Sequence, residues 1–421
     1  MNINNILFQL EKLNKYILIF IPLTLITGPL LSDLSLCIIS LFFIIISIQK
    51  KTYEYYRNFF VYLFIFFYIY LFARSFFVEN IFLSLHSSLF YIRYLFFILG
   101  IAYIINIDSK TIKYFTLILF FSIIIVTLDA YLQFFTGSNI LGFKIHQSGR
   151  LSGFFNDEYI MGSYLVRLLP IYFALLFYNN KLFPYQYLIS IILLIAVDVL
   201  IYLSGERTAF LLLCLASILF ILFINQYRII RLITLILSSA FIILLTFNND
   251  KIFDRIITTT INQSGVLDNE QYIITRKHNT LYKTAINMFI DNPFFGQGPN
   301  QFREQCKDIR FKIKKEEMRT TNISCSTHPH NNYLQLMAET GIVGFLVLIF
   351  LLFYLFYLLI KDKFFYYKIN YLNNAQIGLI IVCIVNIWPF APTGNFFNNY
   401  MNVIYFLPVG LLVGLSIKNM K

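Results

Sequence analysis

The sequence predicts an all-α polytopic membrane protein, with about twelve transmembrane helices and one long, partly helical outer loop between the ninth and tenth. Three observations carry that prediction. The 421 residues are 58% hydrophobic and only 13% charged, with a mean hydropathy of +0.71; soluble domains are about 45–50% apolar and about 25% charged. The apolar residues come in continuous runs close to the ~20 residues a helical span needs, not in the alternation of a β-barrel strand. The Lys and Arg residues between those runs fall unevenly on the two sides. Such a composition excludes a disordered chain and a soluble multidomain enzyme.

Twelve segments qualify as spans: about 16–31, 34–48, 59–73, 89–106, 114–134, 159–178, 185–203, 207–224, 229–247, 341–360, 372–389 and 400–417. The first three are short. Met1–Lys15 is polar and runs into the first apolar segment without a cleavage site, so no cleavable signal peptide is expected. Cytoplasmic loops of such proteins are enriched in Lys and Arg. With the N-terminus inside, fifteen of these residues fall in cytoplasmic segments (Lys50, Lys51, Arg228 and Arg231 among them). The opposite short loops hold four, Arg74, Lys144, Arg150 and Arg207. Both termini are therefore expected in the cytoplasm, and most of the net charge of +12 reports topology, not nucleic-acid binding.

Residues 248–335 interrupt the rhythm, dividing the chain into spans one to nine (1–247), an outer loop domain (248–335) and spans ten to twelve (336–421). A structureless loop of this length is unusual. Thr280–Ile290 has helical apolar spacing, Asp291-Asn292-Pro293 stops it, and Gly296-Gln297-Gly298-Pro299-Asn300 reads as a tight turn. Cys306 and Cys325 lie in this loop, 19 positions apart, and are candidates for a disulfide worth roughly 3 kcal/mol in an oxidising compartment; two reduced thiols are the alternative. Cys37, Cys214 and Cys383 sit in spans as small apolar residues.

Charges inside spans are costly and become candidates for pairing or function. Arg93, Asp129, Arg167 and Asp198 are of this kind. Polar clusters at the outer face are more informative. In Gly149-Arg150-Leu151-Ser152-Gly153, two glycines flank an arginine before the sixth span. In Ser204-Gly205-Glu206-Arg207 a tight hairpin sets Arg207 in the first turn of a helix, where the dipole disfavours a cation and the free N–H groups favour an anion. That placement makes sense if the arginine grips a phosphate or diphosphate bidentately; an ion pair with Glu206 or Glu158 is the alternative. The third cluster runs from Thr327-His328-Pro329-His330-Asn331 to Gly341 and Gly344. An unbroken helix from His330 would put both glycines within about 40° of it, so that they pack closely on a neighbouring helix and hold His330 at the membrane surface. An imidazole, with an ordinary pKa near 6.5, suits a general base. Two histidines around a proline also raise the question of a metal, but no third ligand has suitable spacing.

These residues resemble the bacterial O-antigen ligase and O-antigen polymerase family. His330-Asn331, nine residues, Gly341, two residues and Gly344 reproduce the ligase pattern. Asp291-Asn292-Pro293-Phe294-Phe295-Gly296-Gln297-Gly298-Pro299 is similar to the family's loop segment, and the topology matches over most of the chain. The resemblance implies an inner-membrane enzyme with its site facing the periplasm. It would carry out inverting, metal-independent and cofactor-free glycosyl transfer from a glycan on undecaprenyl diphosphate to a sugar hydroxyl of lipid A–core. It implies His330 as the base and Arg207 at the donor diphosphate, with Arg150 as a second contact. Arg276 and His278 are the nearest match to the family's loop arginine, although Thr275-Arg276-Lys277-His278 departs from its pattern. Joining two lipid-linked repeats (an O-antigen polymerase) or O-linked protein glycosylation are the neighbouring readings. A metal-using enzyme would use Asp33, which lacks a second carboxylate, and a transporter would show discontinuous spans and an internal repeat, which is absent.

Overall fold

The computed structural model describes residues 3–176, 178, 182–264, 275–311, 325–365 and 372–418. Among them there is no strand, only an isolated bridge between Ser138 and Lys144. The chain begins with α1 (Ile3–Thr24), α2 (Pro29–Lys50) and α3 (Phe59–Arg74). Next, α4 (Ile81–Leu89) runs through a 3-10 turn into α5 (Arg93–Ile107), and α6 (Lys110–Thr136) follows. A looped segment leads to α7 (Met161–Leu176), α8 (Gln186–Leu203), α9 (Arg207–Phe223) and α10 (Arg228–Phe247). Short elements come next: α11 (Asp250–Phe253), a π-helical turn (Asp254–Thr258) and α12 (Thr259–Ser264). Then α13 (Arg276–Asp291) and α14 (Phe302–Gln305) precede α15 (Asn332–Phe365), α16 (Asn374–Asn386) and α17 (Asn399–Lys418).

Seven of these helical stretches are long and apolar enough to cross a membrane: α2, α4 continued through α5, α6, α8, α10, α15 and α17. That is fewer than the twelve expected. Four more apolar helices, α3, α7, α9 and α16, have only 10–17 residues. At 1.5 Å per residue even 17 residues reach about 26 Å, short of a ~30 Å hydrocarbon core. At two of these four a side-chain cap, which hydropathy does not register, marks the start. Asn58 caps α3 by accepting from Val61 N, and Asn373 with Gln376 forms a capping box at the start of α16. The first helix is polar in its middle, carrying Glu11, Lys12 and Lys15.

The charges inside the bundle are mostly structural. Arg231 lies within α10 rather than in a cytoplasmic loop, and it grips Asp198 with bonds of 2.7 and 3.2 Å, while Ser238 Oγ donates to the same carboxylate. Both ions are buried and fully paired, the condition under which an intramembrane charge is tolerated. Arg93 pairs with Asp33 at 3.1 Å, and Asn399 Nδ2 donates to the same acid, so Asp33 is committed to holding α2, α5 and α17 together. Asp129 accepts from Asn139 Nδ2 and Ile140 N and ties the loop after α6 to that helix. Arg167 donates to Ser163 O.

The bundle has two distinct ends. At one, Lys15 pairs with Asp108 and Lys50 with Glu11, both at 2.6 Å. At the other, the segment after α10 builds a small second core from Leu281, Ala285, Met288, Phe302, Phe311 and Ala338. Cys306 and Cys325 are joined by a disulfide beside it, with Cα atoms 5.1 Å apart. Because Ala338 belongs to α15, this outer core is anchored on a membrane helix.

Candidate active site at the loop end of the bundle

The site is organised by a break in α15. Gly341 has non-helical backbone angles (φ 63°, ψ −157°), so the helix is kinked there and not continuous from His330. The turn after α13 fills the break. Ile342 N donates to Pro293 O at 2.8 Å, Gln297 N to Ala338 O at 2.8 Å and Gly298 N to Glu339 O at 2.7 Å, so backbone groups released by the kink find partners. Two glycines make the approach possible. A Cβ on Gly296 would lie 2.5 Å from backbone atoms of Glu339, Thr340 and Gly341, and one on Gly341 would lie 2.3 Å from Phe294 O. At Gly344 the Thr340 side chain fills most of the space a Cβ would take, and the Phe67 ring of α3 lies 3.6 Å from that position. Arg74 then fastens the turn by donating to Phe295 O and Gly296 O. Gly296→Ala is therefore expected to lower stability by roughly 2–4 kcal/mol, through a backbone clash and strain at positive φ. Thermal unfolding of the purified protein checks this; an unchanged midpoint would show that the turn can withdraw from the kink.

This interlock fixes the start of α15 and the histidines before it. Asn331 Oδ1 accepts from Tyr333 N and Leu334 N, capping the helix, while Asn331 Nδ2 donates to Pro389 O at 2.8 Å. His330 therefore sits outside the helix, at φ 59°, a left-handed conformation uncommon for a residue with a side chain and concentrated at functional sites. Its carbonyl accepts from Thr393 N at 3.0 Å. Its ring lies 4.1 Å from that of His328 and 5.5 Å from that of His278, measured between centroids. His278 comes from the first turn of α13, where Thr275 caps the helix and its hydroxyl meets His278 Nδ1 at 2.7 Å.

His328 is the most enclosed of the three. Its Nε2 faces Thr393 O at 3.3 Å and its Nδ1 faces the Thr327 hydroxyl at 2.9 Å. The carbonyl can only accept, so Nε2 carries the proton and Nδ1 accepts from the hydroxyl. Burial, followed by the neighbouring His330, lowers its pKa from 6.5 to about 4. The folded state thus holds His328 neutral while the unfolded chain takes up a proton near pH 6.5. Its contribution to stability is present above that pH and is lost as pH falls toward 4. Thermal midpoints between pH 7 and 4.5 should fall for the native protein and fall less for His328→Asn; parallel curves would contradict the assignment. Among the described residues no three His, Cys, Asp or Glu side chains are placed to hold a metal ion.

The second cluster is cationic. In the α8–α9 hairpin, Gly205 (φ 70°) makes the turn and Arg207 opens α9. Glu206 does not pair with Arg207. Its carboxylate crosses to the start of α7, accepting from Gly162 N at 2.6 Å and from Ser163 N and Oγ at 3.0 and 2.8 Å, where a helix N-terminus favours an anion. Arg207 donates to Gln263 Oε1 at 2.9 Å, and its Nη2 is buried with no partner. Arg150 donates to Tyr159 O at 3.1 Å and lies over the Tyr159 ring, with Nε buried and unpartnered. A third arginine, Arg255 on the π-helical turn, joins them. Its pKa is depressed by burial first and then by Arg150 and Arg207. Among the described residues none of the three forms an ion pair with an acid, although the Glu206 carboxylate acts electrostatically on Arg150, and the cluster keeps unused donors.

Both clusters lie at the loop end of the bundle, where α6, α8 and α16 finish and α7, α9, α15 and α17 begin. Residues 188–349 match the protein-family profile described as O-Antigen ligase. Through this segment the chain is similar to the O-antigen ligase family. The matched segment takes in helices long and apolar enough to cross a membrane. No curated protein matches the chain in a sequence comparison.

The ligase segment contains Arg207, Arg255, the Pro293–Gly298 turn, all three clustered histidines, Gly341 and Gly344; Arg150 lies outside it. Of the residues singled out in the sequence, the fold brings His330 and His278 into one cluster and Arg207 and Arg150 into the other. Arg276 opens α13, but its side chain lies outside the described residues. Sequence reasoning missed His328 as a ring partner, Arg255, and Arg303. Arg303 is half-buried with Nε unpartnered and acts electrostatically on His328. The only advance signal for Arg303 was its position three residues after the Gly296–Asn300 turn.

Proposed function

We propose that this protein is an O-antigen ligase that transfers a glycan from a polyprenyl diphosphate, undecaprenyl diphosphate in bacteria, to a sugar hydroxyl of lipid A–core. The transfer takes place at the periplasmic face of the inner membrane, with both chain termini in the cytoplasm. The observation that carries this reading is the group of arginines gathered at the α8–α9 hairpin, with buried N–H groups that have no hydrogen-bond partner. Such a site binds a multiply charged oxyanion. In the proposed reaction His330 removes the proton from the acceptor hydroxyl. The oxygen attacks the anomeric carbon on the face opposite the diphosphate, and the bond from that carbon to the diphosphate oxygen breaks with its electron pair leaving on oxygen. Configuration is inverted. Arg207 and Arg150, fixed in advance, stabilise the charge that develops on the departing lipid diphosphate. In this reading His278 and Arg276, from the first turn of α13, are further substrate-binding residues.

Because the arginines supply the positive charge, transfer by the purified protein should proceed at an unchanged rate in EDTA. Inhibition that is reversed by a divalent cation would reject this mechanism and favour a metal-dependent transferase.

A further inference from the structure

Two of the three clustered arginines were legible in the sequence; the third comes from a segment with no recognisable motif. Arg255 stands on the π-helical turn Asp254–Thr258, and such turns within helical segments are frequent at functional sites. Its side chain crosses to the α8–α9 hairpin, where Nη2 faces Gly205 O at 3.4 Å. The glycines that shape the two arginine loops also accommodate it. A Cβ on Gly205 would lie 3.1 Å from Arg255 Nε, and a Cβ on Gly149 would lie 3.9 Å from Arg255 Cγ. The two loops thus bracket the stem of a residue far from them in sequence. Nε of Arg255, Nε of Arg150 and Nη2 of Arg207 are each buried without a hydrogen-bond partner. Three like charges gathered with donors unused are a cost that an anion with several oxygens relieves.

We infer that Arg255 is a third anion-binding residue of the donor site, so that the site recognises a diphosphate in preference to a monophosphate. This rests on the proposed function, which places the donor diphosphate at Arg207 and Arg150. A phosphate monoester offers three terminal oxygens on one phosphorus, which two forked guanidiniums can cover. A third guanidinium, brought beside the two arginine loops by the segment after α10, matches the second phosphorus. Arg255 also makes that segment part of the donor site, since α12 supplies Gln263 to Arg207 as well.

The test uses the full-length protein in detergent, with inorganic diphosphate and orthophosphate as probes, and reads affinity by calorimetry. Arg310→Gln serves as a charge-matched control, because Arg310 is exposed and pairs with Asp308. The native protein and the control should bind diphosphate more tightly than orthophosphate. Arg255→Gln should weaken diphosphate binding about tenfold while changing orthophosphate binding much less, and Arg255→Lys should not restore it. Thermal midpoints without ligand, compared with the native value, verify that each variant is folded. If Arg207→Gln weakens binding but Arg255→Gln matches the native protein in affinity and selectivity, the inference about Arg255 is overturned and the donor site stands. If neither variant nor Arg150→Gln alters binding, the donor-site reading itself fails.

Discussion

His330→Ala should fold with a native thermal midpoint and lose transfer of polymer to lipid A–core by roughly 10²–10⁴-fold, the span expected when a general base is removed. The fold should survive because bonds that hold the segment at His330 run through its backbone and through Asn331. Its backbone carbonyl holds Thr393 N, and its neighbour Asn331 caps α15, and neither interaction needs the imidazole. The left-handed backbone at position 330 is paid for by those flanking bonds. Alanine there retains some of that strain, so a control such as His330→Asn, which tolerates the conformation better, separates a backbone effect from a chemical one. Both variants should be inactive. Transfer retained in either would remove His330 as the base and leave His278, whose ring is the more distant of its two neighbours, as the next candidate.

Arg207→Lys should lose most activity, roughly ten- to a hundredfold, although charge is conserved. An ammonium lacks the planar fork that spans two oxygens with parallel N–H groups, which the guanidinium of Arg207 offers beside its contact to Gln263. The loss should appear mainly in the KM for the lipid-linked donor if Arg207 binds the diphosphate equally in ground and transition states. It should appear mainly in kcat if the contact strengthens as the bond breaks. Wild-type rates in this variant would show that the cation at the start of α9 is only a surface charge.

How far these features were legible in the sequence depends on whether they are local. Apolar runs are local, and every expected segment overlaps a helix. Their ends are not determined by hydropathy alone, because Asn58 and the Asn373–Gln376 capping box mark helix starts that it does not register. Arg207 was readable because a cation in the first turn of a helix violates a local rule. Arg255 violates none; it is one of twelve basic residues between 248 and 335, and only the fold selects it. The sequence reading expected His330, Gly341 and Gly344 on one face of an unbroken helix. That geometry fails because the kink at Gly341 is a tertiary event, made by the insertion of the Pro293–Gly298 turn. Both halves of the interlock were visible as glycine-bearing motifs, but nothing local indicates that one opens the other. Arg231 looked cytoplasmic because it stands three residues into α10, and its partner Asp198 lies on a different helix.

The central claim, that the protein releases glycan from a lipid diphosphate onto lipid A–core, is most directly tested by lipopolysaccharide gel electrophoresis of a strain lacking it, with and without complementation. Loss of every polymer-capped species together with accumulation of lipid-linked polymer, restored by the native protein but not by His330→Ala, is the predicted result. Core bearing a single repeat would mean that the protein joins repeats instead of attaching them to the core. Capped lipopolysaccharide at its normal level would contradict the account.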